Sequence, residues 1–462
     1  MSLWAEWVKI CFKQEKNTFM HTQGIIKLFG FIVFTVAGLT FPATAFSQRV
    51  WTLKDCIDYA RKENIQVKKS SITAESYKVD LSQSKAELFP SLSGSITGRY
   101  TNSKSQEKNY QYEGLFNGQY AISASWTLYN GGKNRNNIKQ AQLQKDAQDL
   151  TTEYTRNELE ISITQAYLQI LYSRESIKNN ENILASSEEQ LKQTKDFLDA
   201  GSITRSEYAQ VEAQYSSDKY NLIQAQSSYD NYKLQLKLLL ELDYDKDIDL
   251  EFPVIDDNDV LQFIPSKYEV YKRALAIMPE VANSKLNIQI ADLNKKNAKA
   301  GYLPTVSLTG SLGTGNIFNN SPSFGTQINH NFNQSIGVTV SIPIFDNKSN
   351  SSNVKRADLQ IQTAQLDLLD TEKTLQRTIE SLYQDAVSGQ SKYNAAKDKL
   401  NSALLSYELV QEQYALGMRN TVELTTEKNN YANALQDLLQ AKYTALISVK
   451  LLNFYQGQDI TL

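Results

Sequence analysis

Few side chains in this chain are of the types that do covalent or metal chemistry. Beyond residue 47 there is one histidine, His330, and one cysteine, Cys56. A lone histidine can assemble neither a histidine-based metal site nor a Ser-His or Cys-His nucleophile, and a lone cysteine excludes an intramolecular disulfide. The run Gly310-Ser311-Leu312-Gly313-Thr314-Gly315 lacks the lysine of a phosphate-binding loop and opens no helix. Asp243-x-Asp245-x-Asp247 begins like a calcium loop but has no glycine at its sixth position and no correctly spaced final carboxylate. What remains is a set of polar residues beside two turns. Glu207 follows Gly201-Ser202, and Glu423, Thr426 and Glu427 follow Leu416-Gly417-Met418-Arg419. Carboxylates of that kind attract cations but do not catalyse alone. The expectation is a conduit with no enzymatic activity, no cofactor and no metal.

The elements that carry these turns occur twice. Lys85-Ala86-Glu87-Leu88-Phe89-Pro90 returns 214 residues later as Lys299-Ala300-Gly301-Tyr302-Leu303-Pro304. Asn137-Ile138-Lys139 returns as Asn353-Val354-Lys355, Gly201 as Gly417 and Glu207 as Glu423, each 216 residues apart. A duplication with so constant an offset makes each half one supersecondary unit, in the order short helix, strand, strand, long helix, shorter helix. The first copy is expected over 48–241, with strands at about 91–101 and 119–129, a long helix at about 133–200 and a returning helix at about 203–241. The second is expected over 267–462, with strands at about 304–314 and 334–345, a long helix at about 348–416 and a returning helix at about 420–455. An acidic linker, 242–266, lies between them at mid-height of the helical part, and its Ile248, Leu250 and Phe252 alternate like an exposed edge strand.

Within the long helices Ile163, Ile170, Ile177, Leu184, Leu191 and Leu198 fall seven apart, matched by Ile379, Ala386, Tyr393, Leu400, Tyr407 and Tyr414. Sustained heptads predict coiled-coil packing. The companion residues Ser173, Asn180, Ser187 and Thr194 make the seam weak, open to water or to several neighbours. A helix of about 67 residues spans roughly 100 Å, about as long as two of the shorter helices stacked end to end. Gly201 and Gly417 sit where each long helix would end in a left-handed cap.

All four strands alternate with period two. Leu92, Ile96, Tyr100, Ile122, Trp126, Leu308, Val338 and Val340 fall on one face, and Ser, Thr and Gly fill the other. That is the pattern of a barrel wall meeting lipid outside and water inside. Four strands cannot close a barrel, and open edges in lipid leave backbone groups unpaired, so further copies must supply strands. Three copies give twelve. The alternative is an exported structural coiled-coil trimer with a soluble β head.

The N-terminus directs export. Lys9, Lys13, Lys16 and Lys27 flank or precede an apolar run that ends in Pro42-Ala43-Thr44-Ala45-Phe46-Ser47, so residues 1–47 read as a signal peptide, with Met20 a candidate true start. Cys11 precedes the apolar run and cannot be a lipidated cysteine. The whole chain has a formal charge of -3 and a mean hydropathy of -0.45. Removing four lysines and two glutamates with the leader makes it more acidic, which disfavours nucleic acid.

The sequence resembles the TolC-like outer-membrane efflux proteins, the outer membrane factors. The resemblance rests on Leu88-Phe89-Pro90-Ser91-Leu92-Ser93 and Tyr302-Leu303-Pro304-Thr305-Val306-Ser307-Leu308 at the helix-to-strand junctions. Trp126-Thr127-Leu128-Tyr129-Asn130-Gly131-Gly132 and Val340-Ser341-Ile342-Pro343-Ile344-Phe345 match at the strand-to-helix junctions, where Asp346-Asn347 stands for Gly131-Gly132. The tip from Leu416 to Glu423 matches too. The resemblance implies a mixed α/β membrane protein: a homotrimer with a twelve-stranded outer-membrane β-barrel continued by a twelve-helix periplasmic coiled-coil tunnel. It implies an adaptor protein and an inner-membrane pump or ABC transporter as partners, in efflux or type I secretion. Acidic residues of the returning helix would ring the closed end of the tunnel. The first matches Glu423, the second falls on Thr426 with Glu427 beside it, and Glu207 is the equivalent of Glu423 in the first repeat.

Overall fold

The computed structural model describes residues 50–105, 111–243, 245–318 and 322–462. The expected signal peptide lies outside those residues. In the first repeat, β1 (Val50–Trp51) leads into α1 (Leu53–Glu63), α2 (Ile65–Ala86), β2 (Ser91–Ser105), β3 (Gln111–Asn130), α3 (Lys133–Asp199) and α4 (Arg205–Leu239). The linker carries β4 (Asp249–Leu250) and one turn of helix, α5 (Asp257–Val260). The second repeat runs α6 (Lys267–Ile277), α7 (Pro279–Lys299), β5 (Thr305–Ile317), α8 (Phe324–His330), β6 (Asn333–Ser341), α9 (Ser349–Ala415) and α10 (Thr421–Tyr455).

The two long helices each have 67 residues and the two returning helices 35. At 1.5 Å per residue the long ones span roughly 100 Å. Each has a stack of shorter helices beside it: α2 and α4 along α3, and α7 and α10 along α9. The first stack is joined at Asn64. Its side-chain Oδ1 accepts from the Gln66 and Val67 amides to start α2, and its Nδ2 donates to the Leu239 carbonyl at the end of α4, 3.0 Å away. One side chain satisfies the free groups of both helix ends. In the second stack Pro279 begins α7, and Met278 and Val281 pack against Leu452 and Tyr455 of α10.

The largest apolar core surrounds this level, with Cys56, Ile163, Tyr167, Ile170, Leu236 and Leu446 all buried. Burial pushes the Cys56 thiol up to about 12, so it is an inert core residue.

Three expectations are corrected here. The short helix before each sheet is two helices, because Asn64 and Pro279 both favour a new helix start over continuation. The linker is not an exposed edge: β4 pairs in parallel with β1, and Ile248 and Leu250 are buried. Strand β6 stops at Ser341, short of 345; Pro343 has no N–H with which to continue the ladder.

The main sheet has the order β2-β3-β5-β6, all antiparallel. Its register sets Ile96 opposite Tyr120, Ile122 opposite Leu312, Trp126 opposite Leu308, and Leu308 opposite Val338. Opposed residues share a face, so one face is apolar across all four strands. Ser93–Ser123–Ser311–Ser335 runs across the other. A bulge between Thr127 and Tyr129 shifts the register at the end nearest the helices.

Candidate functional site

At the far end of the molecule both long helices stop in the same way. Gly201 and Gly417 take φ of +72° and +76°. The amides of Ser202 and Met418 reach back to the carbonyls of Phe197 and Gln413, at 2.9 and 2.8 Å, and those of Gly201 and Gly417 to Leu198 and Tyr414. This pattern of 6→1 and 5→2 bonds needs a left-handed residue at its corner, which glycine adopts without strain.

The returning helices then start alike. Thr204 and Asn420 are N-caps, and Glu207 and Glu423 are the third helical residues that close a reciprocal capping box. Glu207 accepts from the Thr204 amide at 2.7 Å, and Glu423 from the Asn420 amide at 3.2 Å. Glu423 also accepts from Arg419 Nη1 at 2.9 Å, while Arg419 Nε donates to Gln413. The Thr204 backbone amide holds Glu207 below the ordinary glutamate value, and the Asn420 amide with Arg419 does the same for Glu423. The recurrence of these two acids is therefore explained locally, by helix initiation. Thr426 is exposed, with its hydroxyl on the Val422 carbonyl; Glu427 accepts from Ser406 of α9. Leu416, Met418 and Val422 leave the tip apolar, at 74%, 71% and 58% exposure.

Above the tips the repeats are locked together by polar contacts that the sequence did not announce. Ser186 meets the Tyr407 hydroxyl at 2.8 Å, Thr194 meets that of Tyr414 at 3.2 Å, and Phe197 packs against the Tyr414 ring. Further from the tip, Lys428 of α10 pairs with Asp218 of α4 at 2.9 Å, both almost wholly buried, and Ser187 of α3 bonds to both. Gln214 donates to the other carboxylate oxygen at 2.8 Å. Burial holds Lys428 below the ordinary lysine value, and the Asp218 carboxylate opposes that. One signal was legible: Thr421, Leu424 and Lys428 share a helix face, so a lysine stands in a buried stripe.

In the lower half of α3 the chain buries the small and polar positions Ser176, Ser187, Gln190 and Thr194. The heptad residues Ile177, Leu184, Leu191 and Leu198 are only half-buried there. Ile379, Tyr393, Tyr407 and Tyr414 of α9 are buried.

At the sheet end Pro90 and Pro304 each lie just before a strand, and Gly131 and Gly132 have φ of +68° and +85°. A Cβ on Gly131 would meet the Ala300 carbonyl at 2.8 Å, so the two repeats touch at this point. The equivalent pair in the second repeat is Asn347-Lys348, at φ +53° and +65°, rather than Asp346-Asn347. Asp346 instead accepts from the Asn350 amide in the first turn of α9, as Asn130 accepts from that of Asn134 in α3.

The chain matches the outer membrane efflux protein family over residues 56–241 and 270–458. It is 25% identical to the outer membrane efflux protein BepC of Brucella suis, over 78% of this chain and 76% of the relative. It is 23% identical to the outer membrane protein TolC of Escherichia coli, over 89% and 83%, and 23% identical to the alkaline protease secretion protein AprF of Pseudomonas aeruginosa, over 65% and 61%. Its fold superposes on the CmeC outer membrane channel of Campylobacter jejuni with a TM-score of 0.74, covering 88% of this chain and 87% of that one at 20% identity. Together with the duplicated sheet and helices, these likenesses establish that the chain belongs to the outer membrane efflux protein family, as an outer-membrane exit duct for efflux or secretion whose helical part lies in the periplasm.

Proposed function

We propose that three copies assemble into one passive duct, a twelve-stranded barrel continued by a twelve-helix tunnel, which an adaptor and an inner-membrane pump or ABC transporter engage at the helical tips. The observation that carries this reading is the open sheet. Strands β2 and β6 are its two edges, beside a face on which Ile96, Ile336 and Val338 are 81%, 80% and 63% exposed. Unpaired strand edges in a bilayer cost several kcal/mol per backbone group, and only closure removes them. Independent support comes from the helices. Ile72 and Val79 of α2, Leu359 and Leu366 of α9, and Leu234 and Leu238 of α4 are exposed at helical spacing, and the lower heptads of α3 are half-covered. Apolar stripes of this kind suit neighbouring copies. Mass photometry in detergent should find trimers, and planar bilayers should show discrete conductance; a folded monomer would overturn the reading.

In this assembly Glu423, with Glu427, Thr426 and Glu207 nearby, lines the closed periplasmic end, and Leu416, Gly417, Met418, Arg419, Gly201 and Ser202 meet the adaptor. The adaptor opens the tip by binding the open state more tightly, which needs no energy source in the duct. Three Glu423 carboxylates round a narrow axis attract cations. Glu423→Lys should therefore lower cation selectivity in reconstituted channels. Unchanged reversal potentials would place Glu423 outside the pore and leave it only its capping role.

A further inference from the structure

The connection between β5 and β6 has two places to go, into the lumen or onto the outside of the wall, and its contacts choose one. Thr314 Oγ1 donates to the Ile328 carbonyl of α8 at 2.6 Å, and the Tyr120 and Phe324 rings meet edge-on with centroids 6.4 Å apart. Thr314 and Tyr120 stand opposite each other in the register, on the face that carries Ile122, Trp126 and Leu308. Phe332 closes a shallow cleft with Ile96, Ile122 and Leu312 on the same face. The segment is held firmly: Gln327 brackets Ile317, accepting from its amide at 2.8 Å and donating to its carbonyl at 3.1 Å, and Asn331 donates to the Gly315 carbonyl at 2.7 Å.

What α8 covers explains why it is there. Towards this end the apolar face turns polar, with Thr314 and Asn316 following Leu312. Asn316 is 4% exposed and accepts from the Tyr120 hydroxyl at 3.3 Å. A bare asparagine side chain on a lipid-facing wall would be costly. Phe318 lies beside Gly118 with the Asn316 side chain, and its ring packs against Phe116 at 4.9 Å and Phe324 at 6.5 Å between centroids. Phe318, Phe324 and Phe332 then present 41%, 53% and 56% of their surface outward.

We propose that residues 323–332 form an interfacial anchor on the outside of the barrel, with Phe324 and Phe332 inserted into the lipid of the outer leaflet. Their aromatic rings continue the apolar face up to the level where tail gives way to headgroup, which is where such rings are favoured. The segment leaves the lumen clear and shields Asn316 from lipid. The proposal rests on the reading of the sheet as a membrane wall with its apolar face outward.

Spin labels on Phe324→Cys and Phe332→Cys test it in the full chain carrying Cys11→Ser, reconstituted into phosphatidylethanolamine–phosphatidylglycerol vesicles, where the remaining native thiol, Cys56, is buried. Val338→Cys on the apolar face and Ser123→Cys on the polar face are the controls. Oxygen partitions into lipid and a nickel chelate stays in water. The oxygen-to-nickel collision ratio at 324 and 332 is expected within about twofold of that at 338, and well above that at 123. Ratios at 324 and 332 equal to that at 123, with 338 lipid-exposed, would overturn the anchor and leave the wall intact. A nickel-accessible 338 would overturn the wall, and the anchor with it.

Discussion

Lys428 and Asp218, from different repeats, form an ion pair of 2.9 Å in which their side chains keep only 2% and 5% of their exposure. It joins the returning helix of one repeat to that of the other, and Ser187 ties both to α3. Removing one partner strands the other charge away from water. Lys428→Met or Asp218→Leu alone should cost about 3–5 kcal/mol, and the double replacement should recover most of it. Heat dissociation of the assembled protein for the two single variants and the double one measures the coupling. Additive losses would show that the pair acts as two independent contacts.

The capping boxes make the tips acid-sensitive. Glu207 and Glu423 have folded values held below the ordinary 4.5, so their contribution is complete above that value and is lost as pH falls through the folded values beneath it. Hydrogen-exchange protection at the starts of α4 and α10 should fall as pH drops below 4.5, while α3 at the level of Ile163 stays protected. At constant pH, Asn420→Ala removes the N-cap itself and should weaken the start of α10 by about 1 kcal/mol.

Left-handed backbone at the strand-to-helix junctions separates the repeats chemically. Lys348 holds φ +65° where the first repeat has Gly132. A non-glycine residue there costs roughly 1 kcal/mol, so Lys348→Gly should raise thermal stability. Gly131→Ala should lower it by more than Gly132→Ala, because only at Gly131 does a Cβ also strike Ala300. Equal losses at the two glycines would show that the Ala300 contact yields freely.

Trp126 lies on the apolar face and donates from Nε1 to the Leu88 carbonyl at 2.8 Å; neighbouring Thr127 lies opposite Ser307 on the polar face. Trp126→Arg should impair outer-membrane assembly, and Thr127→Arg should be tolerated as a lumen change. Equal damage from both would invert the assignment of faces.

Much of this was legible in the chain because it is local. The Ser/Thr alternation and the glycines at 201 and 417 are each read within a few residues of where they act, and the 216-residue offset is the recurrence of such local patterns. The acids at 207 and 423 were visible as a pair, but their bonds to Thr204 and Asn420 give them a role in helix initiation that their recurrence alone did not show. What stayed hidden depends on which distant segments meet. The pairing of β4 with β1 joins two residues to two others across the whole first repeat, too short a match to be found by pattern. Lys428 and Asp218, 210 residues apart in sequence, meet only because the fold brings α4 of one repeat beside α10 of the other. In α3 the heptad residues Ile163 and Ile170 lie in the chain's own core, but in the lower half Ile177, Leu184, Leu191 and Leu198 are only half-buried and the chain's own contacts use the companion positions Ser187 and Thr194.

Equal helix lengths in the two repeats carry an evolutionary consequence. An extra heptad in α3 alone would displace Phe197 by roughly 10 Å from Tyr414. Matching it in α4 alone would return the chain to its starting level but still leave one tip protruding beyond the other. A longer descendant of this protein needs the same insertion in α3, α4, α9 and α10 together, so its reach across the periplasm changes in coordinated steps.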